Sequence, residues 1–154
     1  MDEVHKGFNR VEEYGRMIKH IHLHGIAVQA GIVFGFDNDT PEIFKNTVDF
    51  LEEVGVQNAT FNILTPFPGT TLFRKLDAEG RILTRDWRKY NSRSEVVYLP
   101  RRMSAEELLA GFRYANERFY SLPSIAKRLS RSPVQIWWTL PLNLAYSFKW
   151  RMMA

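Results

Sequence analysis

The sequence predicts an α/β fold with parallel strands joined by right-handed crossovers. Two observations carry this. Helix and strand patterns alternate as helix, strand, helix, strand, helix over the first 80 residues, with short links. The first strand pattern is also nearly without polar residues, as in a strand buried on both faces of a parallel sheet.

The elements follow in order. Residues 8–24, FNRVEEYGRMIKHIHLH, place Val11, Tyr14, Ile18 and Ile21 at helical spacing, with Asn9 as N-cap and Gly25 at the C-cap. AVQAGIVFGF, 27–36, is the first strand. In DNDTPE, Thr40 caps, Pro41 suits the first helical position and Glu42 suits the positive helix end. This helix runs to about Val54, with Ile43, Thr47, Phe50, Leu51 and Val54 on one side and Gly55 ending it. NATFNIL, 58–64, alternates Ala59, Phe61 and Ile63 with Thr60, Asn62 and Leu64, as a second strand. A proline turn and a short helix, TLFRKLDAE, end at Gly80.

Beyond Gly80 the pattern changes. RILTRDWRKYN reads as irregular, and EVVYLP, 95–100, as a short strand. Ser104-Ala-Glu-Glu107 is a capping box opening a helix to about Tyr120, which buries Leu108, Phe112, Ala115 and Phe119. A basic segment, AKRLSR, leads to PVQIWWTLPLNLAYSFKWRMMA. The organisation is thus 1–80, 81–125 and a basic, aromatic tail, 126–154.

Bulk properties exclude several classes. The chain has 154 residues, 45% hydrophobic and 25% charged, enough for one domain with a core. Net charge is +4 without a long Lys/Arg run, so nucleic acid is not expected as a partner. There is no cysteine, so disulfides and thiolate metal sites are impossible within these residues. The N-terminal residues are polar and unlike a secretory signal, which points to a cytoplasmic protein. The tail's IWWTLPLNLAYSF is 13 residues long and interrupted by Pro141, short of the roughly 20 needed to span a bilayer. Its tryptophans, with Lys127, Arg128, Arg131, Lys149 and Arg151 as flanks, suit a membrane surface. A helix pair packed on the domain's side is the other reading.

In parallel α/β folds, ligands meet the C-terminal ends of strands. Those loops are FGFDNDTPE and LTPFPGTT. The first offers Gly31 and Gly35, where backbone can approach a ligand, with Asp37 and Asp39; packing and helix capping explain the same residues. The second offers Thr65, Pro66, Pro68 and Gly69, a rigid wall or a stiff turn. Asn62 and Thr60 share one face of their strand. His20 and His24 share a helix face, but no carboxylate completes a metal site. Glu12, Glu13, Glu52 and Glu53 read as solvated helix faces.

Two strands leave unpaired edges and a complete barrel needs roughly 250 residues, so the chain reads as part of a larger parallel fold. A small open α/β domain is the alternative. The run HLHGIAVQAGIVFGFDNDTPE…NILTPFPGTTLFRKLDAEGRIL, continued by DWRKYN and VVYLPRRMSAEEL, resembles the C-terminal part of radical S-adenosylmethionine (SAM) enzymes that carry a cobalamin-binding domain. The likeness covers about residues 5–125. It implies that 1–80 form the second half of a partial (β/α)6 TIM-like barrel, that 81–125 are a family-specific region, and that a helical extension follows. It implies that Gly31, Ile32 and Gly35, with Phe34 and Phe36, hold the adenosyl group of SAM, and that Thr65 to Thr70, with Pro66, border the cavity. Asn62 adds a polar group to that wall. The family often has a glutamate where this chain has Asn38, then Asp39.

The family's [4Fe-4S] cluster needs a CxxxCxxC loop that these residues lack. The resemblance therefore implies a fragment or subunit of a cobalamin-dependent radical SAM enzyme, of methyltransferase type or doing other radical chemistry on an unreactive carbon. It would hold no cofactor and show no activity alone. Its partners would be the other barrel half and the cobalamin domain. The alternative is a non-catalytic binding or membrane-associated module.

Overall fold

A computed structural model describes residues 11–130, 132 and 136–153. The N-cap expected at Asn9 and the flank at Arg131 lie outside the described residues. Six helices and two strands follow in the order α1 (Val11–Leu23), β1 (Gln29–Phe34), α2 (Glu42–Glu53), β2 (Asn58–Ile63), α3 (Thr71–Ala78), α4 (Ala105–Phe119), α5 (Leu122–Ser130) and α6 (Ile136–Met153). The protein is thus mixed α/β and mostly helical, and β1 and β2 form a two-stranded parallel sheet. Gly25, Gly55 and Gly80 take the left-handed φ that ends the helices before them.

The chain divides into two compact units, residues 31–49 with 60–119 and residues 1–30 with 50–59 and 120–154. In the first, aromatic rings build the core. Phe34 meets Phe44 edge-on at 4.8 Å and stacks on Phe61 at 5.8 Å, while Phe61 meets Phe119 edge-on at 5.6 Å. Leu108, Phe112, Ala115 and Phe119 are buried along α4, as the spacing predicts. The capping box is formed: the Glu107 N–H donates to Ser104 Oγ at 3.0 Å, and the Ser104 N–H to the Glu107 carboxylate at 2.7 Å. Gly111 presents bare backbone to Phe44, where a Cβ would come within 2.0 Å of the ring.

Several expectations are corrected. β1 is not buried on both faces: exposure alternates along it, because no described element covers one side of the two-stranded sheet. The buried face of α2 carries Phe44, Val48 and Leu51, not Ile43 and Thr47, so the helix is rotated by about one residue from the expected stripe. EVVYLP is not a strand. It makes one antiparallel bridge, Ile82 with Tyr98, because its partner segment is short and Pro100 cannot extend the ladder. The segment before it is not wholly irregular: Asp86 caps a single 3-10 turn, Trp87–Lys89.

In the other unit, Ala126 to Ser130 of the basic segment lie in α5, and α6 packs on α5. Pro141 does not interrupt the tail. Helix α6 continues through it, although proline cannot donate the bond of that turn. Arg128 is not a surface flank but 1% exposed. It donates to the carbonyls of Val56 (3.1 Å) and Gln57 (2.8 Å) and to Asn143 Oδ1 (3.0 Å). Glu52 is likewise no solvated residue: it is buried and receives Lys127 Nζ at 3.0 Å. Among the described residues no helix is long and apolar enough to cross a membrane.

Candidate functional site

The open face of the sheet defines the candidate site, here within residues 31–49 and 60–119. Ala59, Phe61 and Ile63 are buried while Thr60, Asn62 and Leu64 are half-exposed, which is the alternation the sequence predicts. On β1, Gly31 and Val33 are exposed while Phe34 is buried. The Leu64 N–H donates to the Phe34 carbonyl at 2.8 Å, a register that sets Gly31 beside Thr60 and Val33 beside Asn62. One sheet face is thus packed, and the other presents a glycine, a valine and two polar side chains.

Gly31 leaves room on that face: a Cβ there would meet nothing within 4 Å. Ile32, a half-buried neighbour, has the opposite parity and points with Phe34 to the packed side. Asn62 stands on the open face, and its side-chain amide makes no hydrogen bond among the described residues.

Both strand-to-helix loops leave the C-terminal ends of β1 and β2. In the first, the Asp39 carboxylate accepts from the Gly35 N–H (2.9 Å) and the Phe36 N–H (3.0 Å). Gly35 has φ +105°, and a Cβ would lie 2.3 Å from the Tyr98 hydroxyl and 2.8 Å from Leu108. The Tyr98 hydroxyl donates to the Gly35 carbonyl. Glycine is therefore required at 35 by packing, whereas at 31 it opens space.

Asp37 is spoken for by cations. Arg81 approaches at 2.6 Å, Arg101 at 3.0 Å and Lys75 at 3.5 Å. Burial pushes its carboxyl pKa up, but the Arg81 hydrogen bond and the surrounding positive charge outweigh this and hold it below the usual value.

In the second loop, Thr65 and Pro66 are buried, and the Thr65 hydroxyl donates to the Ile63 carbonyl at 3.0 Å. Phe67 is half exposed, and Thr70 Oγ1 accepts from the Phe73 N–H, capping α3. Sequence reasoning missed a third contributor. The Ile63 N–H donates to the Ser92 carbonyl at 2.7 Å, so the Asn91–Ser94 turn, with Ser92 at φ +62°, closes over the end of β2. The Asn-Ser-Arg-Ser sequence was the available signal.

In the other unit, His22 Nε2 pairs with Gln57 Oε1 at 3.1 Å, and His24 Nδ1 with the His20 carbonyl at 3.0 Å. Among the described residues no three His, Asp or Glu side chains gather to hold a metal. With no cysteine in the chain, these residues do not fit an iron–sulfur cluster. On the open face, Gly31 offers backbone beside open space and Asn62 a half-exposed amide.

A family model described as "Domain of unknown function (DUF4070)" matches residues 70–139. The chain is 32% identical over 138 residues to bacteriochlorophyllide d C-12(1)-methyltransferase of Chlorobaculum tepidum, covering 90% of this chain and 30% of that protein. The chain resembles a segment of methyltransferases and cyclases. It is 30% identical over 125 residues to hopanoid C-2 methylase of Rhodopseudomonas palustris, covering 81% of this chain and 22% of the relative. It is 28% identical over 110 residues to anaerobic magnesium-protoporphyrin IX monomethyl ester cyclase of Cereibacter sphaeroides, covering 71% and 18%. The chain spans less than a third of the length of these relatives.

Proposed function

We propose that these 154 residues are the C-terminal part of a cobalamin-dependent radical SAM enzyme of methyltransferase type, forming one wall of its SAM and substrate cavity. The observation that carries the reading is the sheet with one packed and one open face, where Gly31, Val33, Thr60 and Asn62 lie side by side. A partial (β/α)6 barrel accounts for it. Its remaining strands would extend the sheet, and the open face would become the lumen. Similarity to methyltransferases and cyclases supports the chemistry.

On this reading SAM supplies the reacting group, while the cluster and cobalamin are held by residues outside these 154. This chain's own part is binding and orientation. Backbone at Gly31 lets an adenosyl group approach, Asn62 offers an amide for its polar edge, and the Thr65–Pro66 turn fixes the wall beside it. The substrate is an unreactive carbon centre within the cavity.

The test is reconstitution. The chain is purified anaerobically alone, and also together with a polypeptide that carries a CxxxCxxC motif and a cobalamin domain. SAM-dependent product is expected only from the combination. Iron–sulfur absorbance and 5′-deoxyadenosine formation by the chain alone would overturn the reading.

A further inference from the structure

Helix α6 turns a polar stripe inward, beside Tyr146, which stacks on Tyr120. Its buried stripe is polar: Thr139, Asn143 and Ser147, one turn apart, are 4%, 0% and 6% exposed. Asn143 Nδ2 donates to the Gln57 carbonyl (3.1 Å) and to Asn58 Oδ1 (2.9 Å), so the stripe is anchored by hydrogen bonds. The outward side carries Trp137, Trp138, Leu142, Leu144, Phe148 and Met152; the two tryptophans are 79% and 82% exposed and Phe148 66%. Water-facing helices show the opposite pattern.

The charge pattern says what covers this face. From residue 119 to the last residue there is no Asp or Glu, while Lys127, Arg128, Arg131, Lys149 and Arg151 are cationic. With Lys127 and Arg128 engaged by Glu52 and the α5–α6 network, Lys149 is the described cation on α6 left facing outward. The 18 residues of α6 span about 27 Å, yet the helix is not apolar enough to cross a bilayer. Exposed tryptophans and aliphatics, outward positive charge and no acid match the interfacial zone of an anionic membrane.

We infer that α6 seats this protein on an anionic lipid surface, lying in the plane of the interface with Trp137, Trp138 and Phe148 in the acyl boundary. The inference rests on α6 alone and stands or falls separately from the cavity proposed above. Orientation follows from the anchored stripe, which turns the apolar side toward the lipid.

The test is vesicle flotation of the full chain with phosphatidylcholine vesicles, with and without phosphatidylglycerol. Binding is expected on the anionic vesicles and weaker binding on the neutral ones. Quenching by brominated lipid should be lost in Trp137→Phe/Trp138→Phe. Trp138→Ser should lower partitioning about tenfold and Trp137→Ser/Trp138→Ser/Phe148→Ser further, with circular dichroism unchanged because these side chains are exposed. Lys149→Gln should reduce the preference for anionic vesicles about fivefold. No flotation of folded protein overturns the inference, as does flotation that the serine variants leave intact. A lipid-free oligomer that buries α6, seen as loss of tryptophan quenching by iodide on dilution-sensitive association, assigns the face to a second copy and also overturns it.

Discussion

Arg128 and Gln57 are joined twice over: the guanidinium donates to the Gln57 carbonyl at 2.8 Å, and Asn143, which accepts from Arg128 at 3.0 Å, donates to the same carbonyl at 3.1 Å. One basic residue thus satisfies the backbone at the start of β2 and the polar stripe of α6. Burial pulls its pKa down to about 10, still well above neutrality, so it is charged where the protein works.

Arg128→Leu is expected to strand these acceptors and cost about 3 kcal/mol. For a chain of this size, that is a fall in Tm of roughly 6–12 °C by calorimetry. Arg128→Lys should recover only part of this, since an ammonium cannot span the same acceptors. A change in Tm below a degree for Arg128→Leu would contradict the network.

Alkaline pH should weaken the unit that holds Tyr120. Its hydroxyl donates to the Ala59 carbonyl at 2.6 Å, and burial raises its pKa from 10.0 to about 12. The neutral form is favoured by folding, so its contribution is complete below pH 10 and is lost as pH rises from 10 to about 12. Denaturant titrations across that range should show a falling unfolding free energy, with a shallower fall in Tyr120→Phe.

The two glycines of β1 and its loop should separate packing from ligand access. Gly35→Ala puts a Cβ into Tyr98 and Leu108 at a φ that disfavours alanine, and is expected to cost about 3 kcal/mol. Gly31→Ala meets open space and should change stability by less than about 1 kcal/mol. If the open face receives SAM, Gly31→Ala still weakens SAM binding by the reconstituted enzyme, measured by calorimetry.

Asp37 should be an acid-sensitive tie. Its carboxyl is held below the ordinary value, so its contribution is present above the unfolded pKa of 3.8 and is lost as pH falls through the folded value. Asp37→Asn is expected to cost about 1.5 kcal/mol at pH 7 and to flatten the acid limb of the stability profile.

Ser104→Ala removes the acceptor for the Glu107 N–H and should cost about 1 kcal/mol in urea denaturation, with Ser104→Asp nearly neutral.

Local signals were legible wherever a residue acts on its own neighbours. The glycines at 25, 55 and 80 end helices as written, Ser104 and Glu107 cap each other, and the alternation of Ala59, Phe61 and Ile63 with Thr60, Asn62 and Leu64 appears in the burial of β2. The order of elements and the placing of two loops at the C-terminal ends of parallel strands were likewise readable from periodicity and turn residues.

Tertiary structure decided what depends on partners distant in sequence. Composition makes Arg128 a cation, but only carbonyls 71 and 72 residues away make it a buried one. Spacing makes Gly31 and Gly35 look alike, but Tyr98 and Leu108 fill the space at one and leave it open at the other. The tail reads as apolar and aromatic, yet the hydrogen bonds of Asn143 and the stacking of Tyr146 on Tyr120 set which side is inner. Burial free energy depends on what arrives from elsewhere in the chain, and no local pattern encodes that arrival.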